Sequence, residues 1–301
     1  MLQCHINIPV VCFGEVLWDV FHDEKKPGGA PFNVCAHLVR QKVSAVMISA
    51  VGSDAEGVEL LDFVRKNDLT TDYIRELADL PTGTVFVKKD EKGDSKYTIT
   101  QPVAWDNIPF DDGLMELVAR SEFFIFGSLA CRSEGSRRTL LRLLEVAPCG
   151  VFDVNFRAPH YDREIIEVLL KKSRIVKMNS EELEEIAGWY DQRGAERENM
   201  KYLIDNFNIE QLFVTRGGEG AVSYDGSIFN EFGGFQVDVK DTTGSGDAFL
   251  AAIITKYLDG SDAGYSLKYA CAMGAMVATR FGAIPEIDLM KVEGLLDAVS
   301  E

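Results

Sequence analysis

The chain has 301 residues and is 46% hydrophobic, ample apolar material for one large core or two smaller ones. Its 31 basic and 48 acidic residues leave a net charge of −17. Such a surface repels a phosphate backbone and an anionic membrane alike, so neither nucleic acid nor a membrane is expected as a partner. A small anionic substrate stays compatible, because one pocket can be positive on a negative protein. The six cysteines, Cys4, Cys12, Cys35, Cys131, Cys149 and Cys271, include no C-x-x-C pair, and the four histidines are scattered. This predicts reduced thiols, a cytoplasmic setting and no zinc site. Residues Met1 to Phe13 lack a basic leader region, so no export signal is expected, and no run approaches the ~18 apolar residues of a spanning helix.

In chain order, Val10–Phe21 is an apolar, β-branched run interrupted by Gly14 and Glu15. Gly28-Gly29-Ala30-Pro31 opens a helix from Pro31 to Gln41, with proline in its first turn. Ser44–Val51 reads as a strand, and Ser53 with Glu56 as the capping box of a helix reaching about Asn67. Thr84–Lys89 and Lys96–Gln101 are extended runs joined by the polar Asp90–Ser95, a hairpin signal. The hairpin is either a lid over a site or an edge decoration. Phe123–Phe126 is a buried strand and Glu134–Leu144 a helix; Gly150–Phe156, Arg174–Met178 and Gln211–Thr215 are short strands. The polar Trp189–Glu198 reads as a loop, and the last third as helices Gly246–Leu258, Ala263–Phe281 and Leu289–Val299. The alternation predicts an α/β sandwich with a mostly parallel sheet.

One string carries the chemistry: Asp241-Thr242-Thr243-Gly244-Ser245-Gly246-Asp247-Ala248-Phe249. Its glycines let backbone N–H groups converge, and the helix that follows adds a partial positive charge, together an anion hole for a phosphoryl group. Asp247 stands beside that hole, where an acceptor hydroxyl must sit. Phosphoryl transfer asks for positioning and charge stabilisation, so a weak base suffices. An aspartate in a first helical turn also complements the helix dipole on stability grounds alone, so G-x-G-D by itself does not decide.

The nine-residue string resembles the C-terminal signature of the ribokinase (PfkB) family of carbohydrate kinases. Gly28-Gly29-Ala30-Pro31-Phe32-Asn33-Val34 is similar to its N-terminal signature, and Val51-Gly52-Ser53-Asp54-Ala55-Glu56-Gly57 to the V-G-x-D-x-x-G that follows. The resemblance implies a single ribokinase-like three-layer α/β/α domain over 1–301, with a small β lid from segments of about 16–27 and 82–105. It makes Asp247 the base and Gly244, Ser245 and Gly246 the donors of the anion hole. Sugar contacts would come from Asp19, Gly28, Gly29, Asn33 and Arg157. Asn179-Ser180-Glu181-Glu182 resembles N-x-x-E, which implies that Asn179 faces the nucleotide and that Glu182 acts on Mg²⁺ through water. Thr215, Gly217, Gly218 and Gly220 resemble the ATP loop, and Cys271 would lie near the adenine. Asp241 and Thr243 stand where the family holds a monovalent cation, K⁺. The implied partners are ATP and a small sugar, with a homodimer formed through the lid.

Within the family, Phe152-Asp153-Val154-Asn155-Phe156-Arg157, Gly127-Ser128-Leu129-Ala130 with Arg132-Ser133-Glu134, and Gly282-Ala283-Ile284-Pro285 resemble bacterial fructokinases. Gln101-Pro102-Val103-Ala104-Trp105-Asp106 departs from their R-x-P-x-A-D, and Trp105 is either a sugar contact or lid core. Alternatives are kinases of 2-keto-3-deoxygluconate, whose carboxylate Arg157 could meet, ribokinases, and a non-catalytic sugar-binding regulator. The last would be marked by loss of the base or of the anion-hole glycines, and all are present. A dinucleotide dehydrogenase would need G-x-G-x-x-G after the first strand, and a P-loop kinase G-x-x-x-x-G-K-[ST]; neither occurs.

Overall fold

The computed structural model describes residues 8–22, 24–89 and 95–298. Cys4, His5, most of the hairpin turn (Asp90 to Asp94) and Val299 of the last expected helix lie outside the described residues. The chain divides into two compact units, one up to Pro148 and one from Cys149.

The first unit contains, in order, β1 Val10–Phe13, β2 Leu17–Val20, β3 Lys25–Gly28, α1 Ala30–Arg40, β4 Ala45–Gly52, α2 Ala55–Lys66, β5 Ile74–Leu77, β6 Gly83–Lys89, β7 Ser95–Ile99, α3 Asp112–Ala119, β8 Phe123–Gly127 and α4 Glu134–Leu144. Strands β8, β1, β4 and β5 lie side by side, all parallel. All residues of β1 and β4 are buried, the unbroken apolar pattern of a parallel strand covered on both faces. A second sheet runs β3-β2-β6-β7, with β2/β3 and β6/β7 antiparallel and β2/β6 parallel. The predicted hairpin is its β6/β7 pair.

The V-G-x-D-x-x-G string becomes a joint in this unit. Asp54, one residue past the expected Ser53, caps α2. Its Oδ1 accepts from Gly57 N at 2.8 Å and from Thr82 Oγ1 at 2.6 Å, and its Oδ2 from Thr82 N at 2.8 Å. A methyl on Gly57 would stand 2.1 Å from the Gly52 carbonyl, which is why that position carries no side chain. Trp105 is fully buried, so it belongs to the core.

The second unit contains β9 Gly150–Asp153, α5 Arg163–Lys171, β10 Ile175–Asn179, α6 Ser180–Gly188, α7 Glu196–Phe207, β11 Gln211–Thr215, β12 Ala221–Tyr224, β13 Phe229–Phe232, α8 Ser245–Leu258, α9 Ala263–Ala278 and α10 Leu289–Asp297. Strands β9, β10 and β11 are parallel, and β12 and β13 extend them antiparallel. Strand β9 is shorter than the expected Gly150–Phe156, because Asn155 takes a left-handed φ of 42°. Helix α9 stops at Ala278, short of Phe281. Helix α8 buries every residue from Ala248 to Thr255, the pattern of a helix enclosed on all sides. Among the described residues no helix is long and apolar enough to cross a membrane.

Candidate active site

The sequence-derived site residues fall into two constellations, one in each unit. In the first unit, Asp19 on β2 pairs with Lys26 and Gly28 on β3 with Leu17, so Asp19 and Gly28 are diagonal neighbours across an antiparallel pair. A methyl on Gly28 would stand 2.3 Å from Asp19 Oδ2, so the carboxylate occupies the space that a side chain would take. Gly29 has φ +113°, and its missing methyl would meet the Glu15 carbonyl at 2.2 Å. That close approach lets the buried Glu15 accept from Ala30 N through Oε1 at 3.2 Å, at the start of α1. Asn33 is buried in the next turn, its N–H donating to the Gly29 carbonyl at 2.8 Å. The result is a tight turn flanked by a carboxylate, which accepts from hydroxyls, and a carboxamide, which both donates to and accepts from them.

In the second unit a cavity of about 390 Å³ gathers eight of the expected residues: Asn179, Thr215, Gly217, Gly218, Gly220, Ser245, Gly246 and Cys271. Phe235, Val237, Val239, Phe249, Ala275 and Ala278 make its wall largely apolar, suited to a flat ring system. Cys271 is buried there, and burial pushes its thiol up to about 12, so the wall carries a neutral S–H. Beside Thr215, Arg216 ties the glycine loop down. Its Nε donates to Glu196 on α7 at 2.9 Å and its Nη1 to Glu231 on β13 at 2.6 Å. These carboxylates, Glu196 foremost, hold the guanidinium above its ordinary value.

The loop expected to form the anion hole is built on Gly244, the N-cap of α8, at φ +78°. A methyl there would stand 2.2 Å from the Ala283 carbonyl, so the G-A-I-P segment is the wall behind the loop. Asp241 organises the loop: Oδ1 accepts from Thr243 N at 3.0 Å and Thr243 Oγ1 at 2.6 Å, and Oδ2 from Gly282 N at 2.9 Å. Asp247 occupies the first turn of α8, half-buried. Glu182 is buried at the head of α6. Its Oε2 accepts from Asn179 N and its Oε1 from Phe156 N, each at 2.8 Å. Burial raises the Glu182 carboxyl against the opposing pull of Lys177. Each oxygen keeps a further lone pair, so an ordered water could still donate to it. Arg157 is exposed, its Nη1 donating to the Phe156 carbonyl at 3.0 Å, and it does not line the cavity.

Sequence reasoning passed over Lys177. It is buried on β10 and donates to both oxygens of Asp153 on β9, at 2.9 and 3.2 Å. The available signal was one charge inside the apolar run Ile175-Val176-Lys177-Met178.

A sequence profile of the pfkB family carbohydrate kinases matches residues 5–289, and the chain belongs to that family. It is accordingly a sugar phosphotransferase. It is similar to fructokinase of Solanum tuberosum, 28% identical over 304 residues that cover 92% of each chain. The fold is shared with Xylella fastidiosa fructokinase solved with bound ATP, at a TM-score of 0.87 and 23% identity, over 98% of this chain and 100% of that one. It is shared also with a Vibrio cholerae fructokinase double mutant solved with fructose, ADP and a potassium ion. There the TM-score is 0.82 and the identity 21%, over 95% of this chain and 97% of that one. The fold is therefore the ribokinase-like α/β fold.

Proposed function

We propose that this kinase transfers the γ-phosphate of ATP to the hydroxymethyl group of a hexose, D-fructose giving fructose 6-phosphate. The observation that carries the nucleotide half of this reading is the 390 Å³ cavity, whose lining joins the glycine loop at Gly217–Gly220 to the anion-hole residues Ser245 and Gly246. A largely apolar cavity that also takes in a helix N-terminus suits a purine together with its phosphates. The fructokinase relatives, and fructose, ADP and potassium in one of the solved neighbours, support the sugar and the cation K⁺.

In this reading Asp19, Gly28, Gly29, Asn33 and Arg157 hold the sugar. Asp247 accepts the proton of the attacking hydroxyl as the new O–P bond forms, and the Gly244–Gly246 amides stabilise the charge on the transferring group. Bound Mg²⁺ supplies neutralisation of the phosphate charge, and Glu182 would hold it through water. Asp241 and Thr243 border the K⁺ position. The small β3-β2-β6-β7 sheet serves as a lid that keeps water from the reacting phosphate. The same sheet is the expected surface of a homodimer.

The test is ADP release from Mg-ATP by purified protein, with and without K⁺, across fructose, ribose, tagatose and 2-keto-3-deoxygluconate. A preference for fructose is expected. A preference for the keto-acid would move the substrate and make the exposed Arg157 its carboxylate partner. No turnover with any sugar would sink the reading.

A further inference from the structure

The two glycines of the anion hole are glycine for different reasons. Gly244 needs a left-handed backbone, whereas Gly246 lies outside that region. Among the described residues, and apart from its own helix, a methyl on Gly246 would meet only Lys177 within 4 Å, with Nζ at 3.0 Å and Cε at 3.7 Å. The space left open by the missing side chain is filled by an ammonium group.

Lys177 is 7% exposed and its partner Asp153 only 3%. A buried ion pair is a weak source of stability, since a well-packed apolar pair of similar volume does as well or better. Its presence in an otherwise apolar strand therefore calls for a reason other than folding. The charged groups that act on Lys177 supply one: Asp153 on β9, Glu182 on α6 and Asp247 on α8. Burial pulls the ammonium down, but these carboxylates, Asp153 first, outweigh it and hold Lys177 above the ordinary lysine value. Asp153 is engaged by the ammonium itself and Glu182 by two backbone N–H groups. Asp247 is the carboxylate of the three that stands in the anion-hole motif.

We propose that Lys177 is a positioning residue for phosphoryl transfer: its ammonium, seated in the space left by Gly246, keeps the Asp247 carboxylate ionised and adds positive charge to the anion hole. This rests on the kinase reading above. A cation near a carboxylate favours its charged form, so removing the cation raises the pH at which the base is lost. Removing Asp153 instead leaves the Lys177 charge uncompensated and acts in the opposite sense.

The experiment is the pH profile of kcat/KM for the preferred sugar in wild type, Lys177→Met and Asp153→Asn, with thermal melting of each. The acidic limb should move up by about one pH unit in Lys177→Met and down in Asp153→Asn. A merely structural role would depress activity equally at every pH. Lys177→Met leaves a buried carboxylate unpaired; should it fail to fold, the nearly isosteric Asp153→Asn decides alone. Unmoved limbs in folded variants of an active enzyme overturn the role of Lys177 and leave the kinase reading standing. A wild type that releases no ADP with any sugar overturns both.

Discussion

Arg132→Leu is the sharpest perturbation that the first unit offers. Arg132 Nε donates to Asp106 Oδ1 at 2.7 Å and Nη2 to Asp106 Oδ2 at 2.8 Å, with side-chain exposures of only 3% and 5%. Nη2 also donates to the Thr100 carbonyl at 2.7 Å, and the guanidinium lies 4.0 Å over the ring of Trp105. Thr100 in turn closes the base of the β6/β7 hairpin, its N–H donating to the Thr84 carbonyl at 3.0 Å. Without the guanidinium, Asp106 keeps the Val103 N–H at 3.0 Å but loses its counter-charge in a dry site. Breaking a buried pair from one side costs about 3–5 kcal/mol, mainly through the stranded charge. At roughly 2–4 °C per kcal/mol, the thermal midpoint should fall by about 6–20 °C. The control is Arg132→Leu with Asp106→Leu, which strands no charge and should recover more than half of the loss. Calorimetry on wild type and both variants measures this. A single variant that melts within 2 °C of wild type (about 1 kcal/mol or less), or a double variant no better than the single, would refute the reasoning.

Three further outcomes follow from named contacts. Asp247→Asn should lower kcat by about 10²–10⁴-fold while ATP affinity by calorimetry stays near wild type; near-normal turnover would remove Asp247 as the base. Gly28→Ala must displace the Asp19 carboxylate, whose Oδ2 would lie 2.3 Å from the new methyl. The sugar KM should rise about tenfold or more (about 1.4 kcal/mol) with the ATP KM unchanged, and an unchanged sugar KM would separate Asp19 from sugar binding. Burial alone would raise the Asp54 carboxyl, but the bonds from Thr82 and Gly57 outweigh it and hold it below the usual aspartate value. A lowered carboxylate contributes stability fully present above its unfolded value, about 3.9, and lost as pH falls through the folded value. The melting difference between wild type and Asp54→Asn should therefore be constant from about pH 8 to 5 and shrink below about pH 4; a difference that grows toward acid would contradict the assignment.

The longer elements of the fold were legible in the sequence because their patterns are long or capped. Helix α4 runs over Glu134–Leu144 and β11 over Gln211–Thr215, as expected. The strands passed over are short. Strands β3, β5, β12 and β13 have four residues each, too few for an alternation to stand out, and Lys25–Gly28 even contains a proline. The cap of α2 was displaced by one residue because Ser53 and Asp54 are equally good caps. What selects Asp54 is Thr82, a partner 28 residues away.

At the site, a motif names residues but not the reason for each. D-T-T-G-S-G-D suggests two interchangeable glycines that free the backbone, yet only Gly244 has a left-handed φ. The requirement at Gly246 is spatial and is set by Lys177, 69 positions earlier in the chain. If the requirement is spatial, Gly246 depends on the identity of residue 177, whereas Gly244 depends on its own backbone and on Ala283. The same distinction separates Gly29, whose φ is +113°, from Gly28, which is kept bare by Asp19. In both constellations, then, one glycine shapes the backbone and its neighbour makes room for a charged side chain.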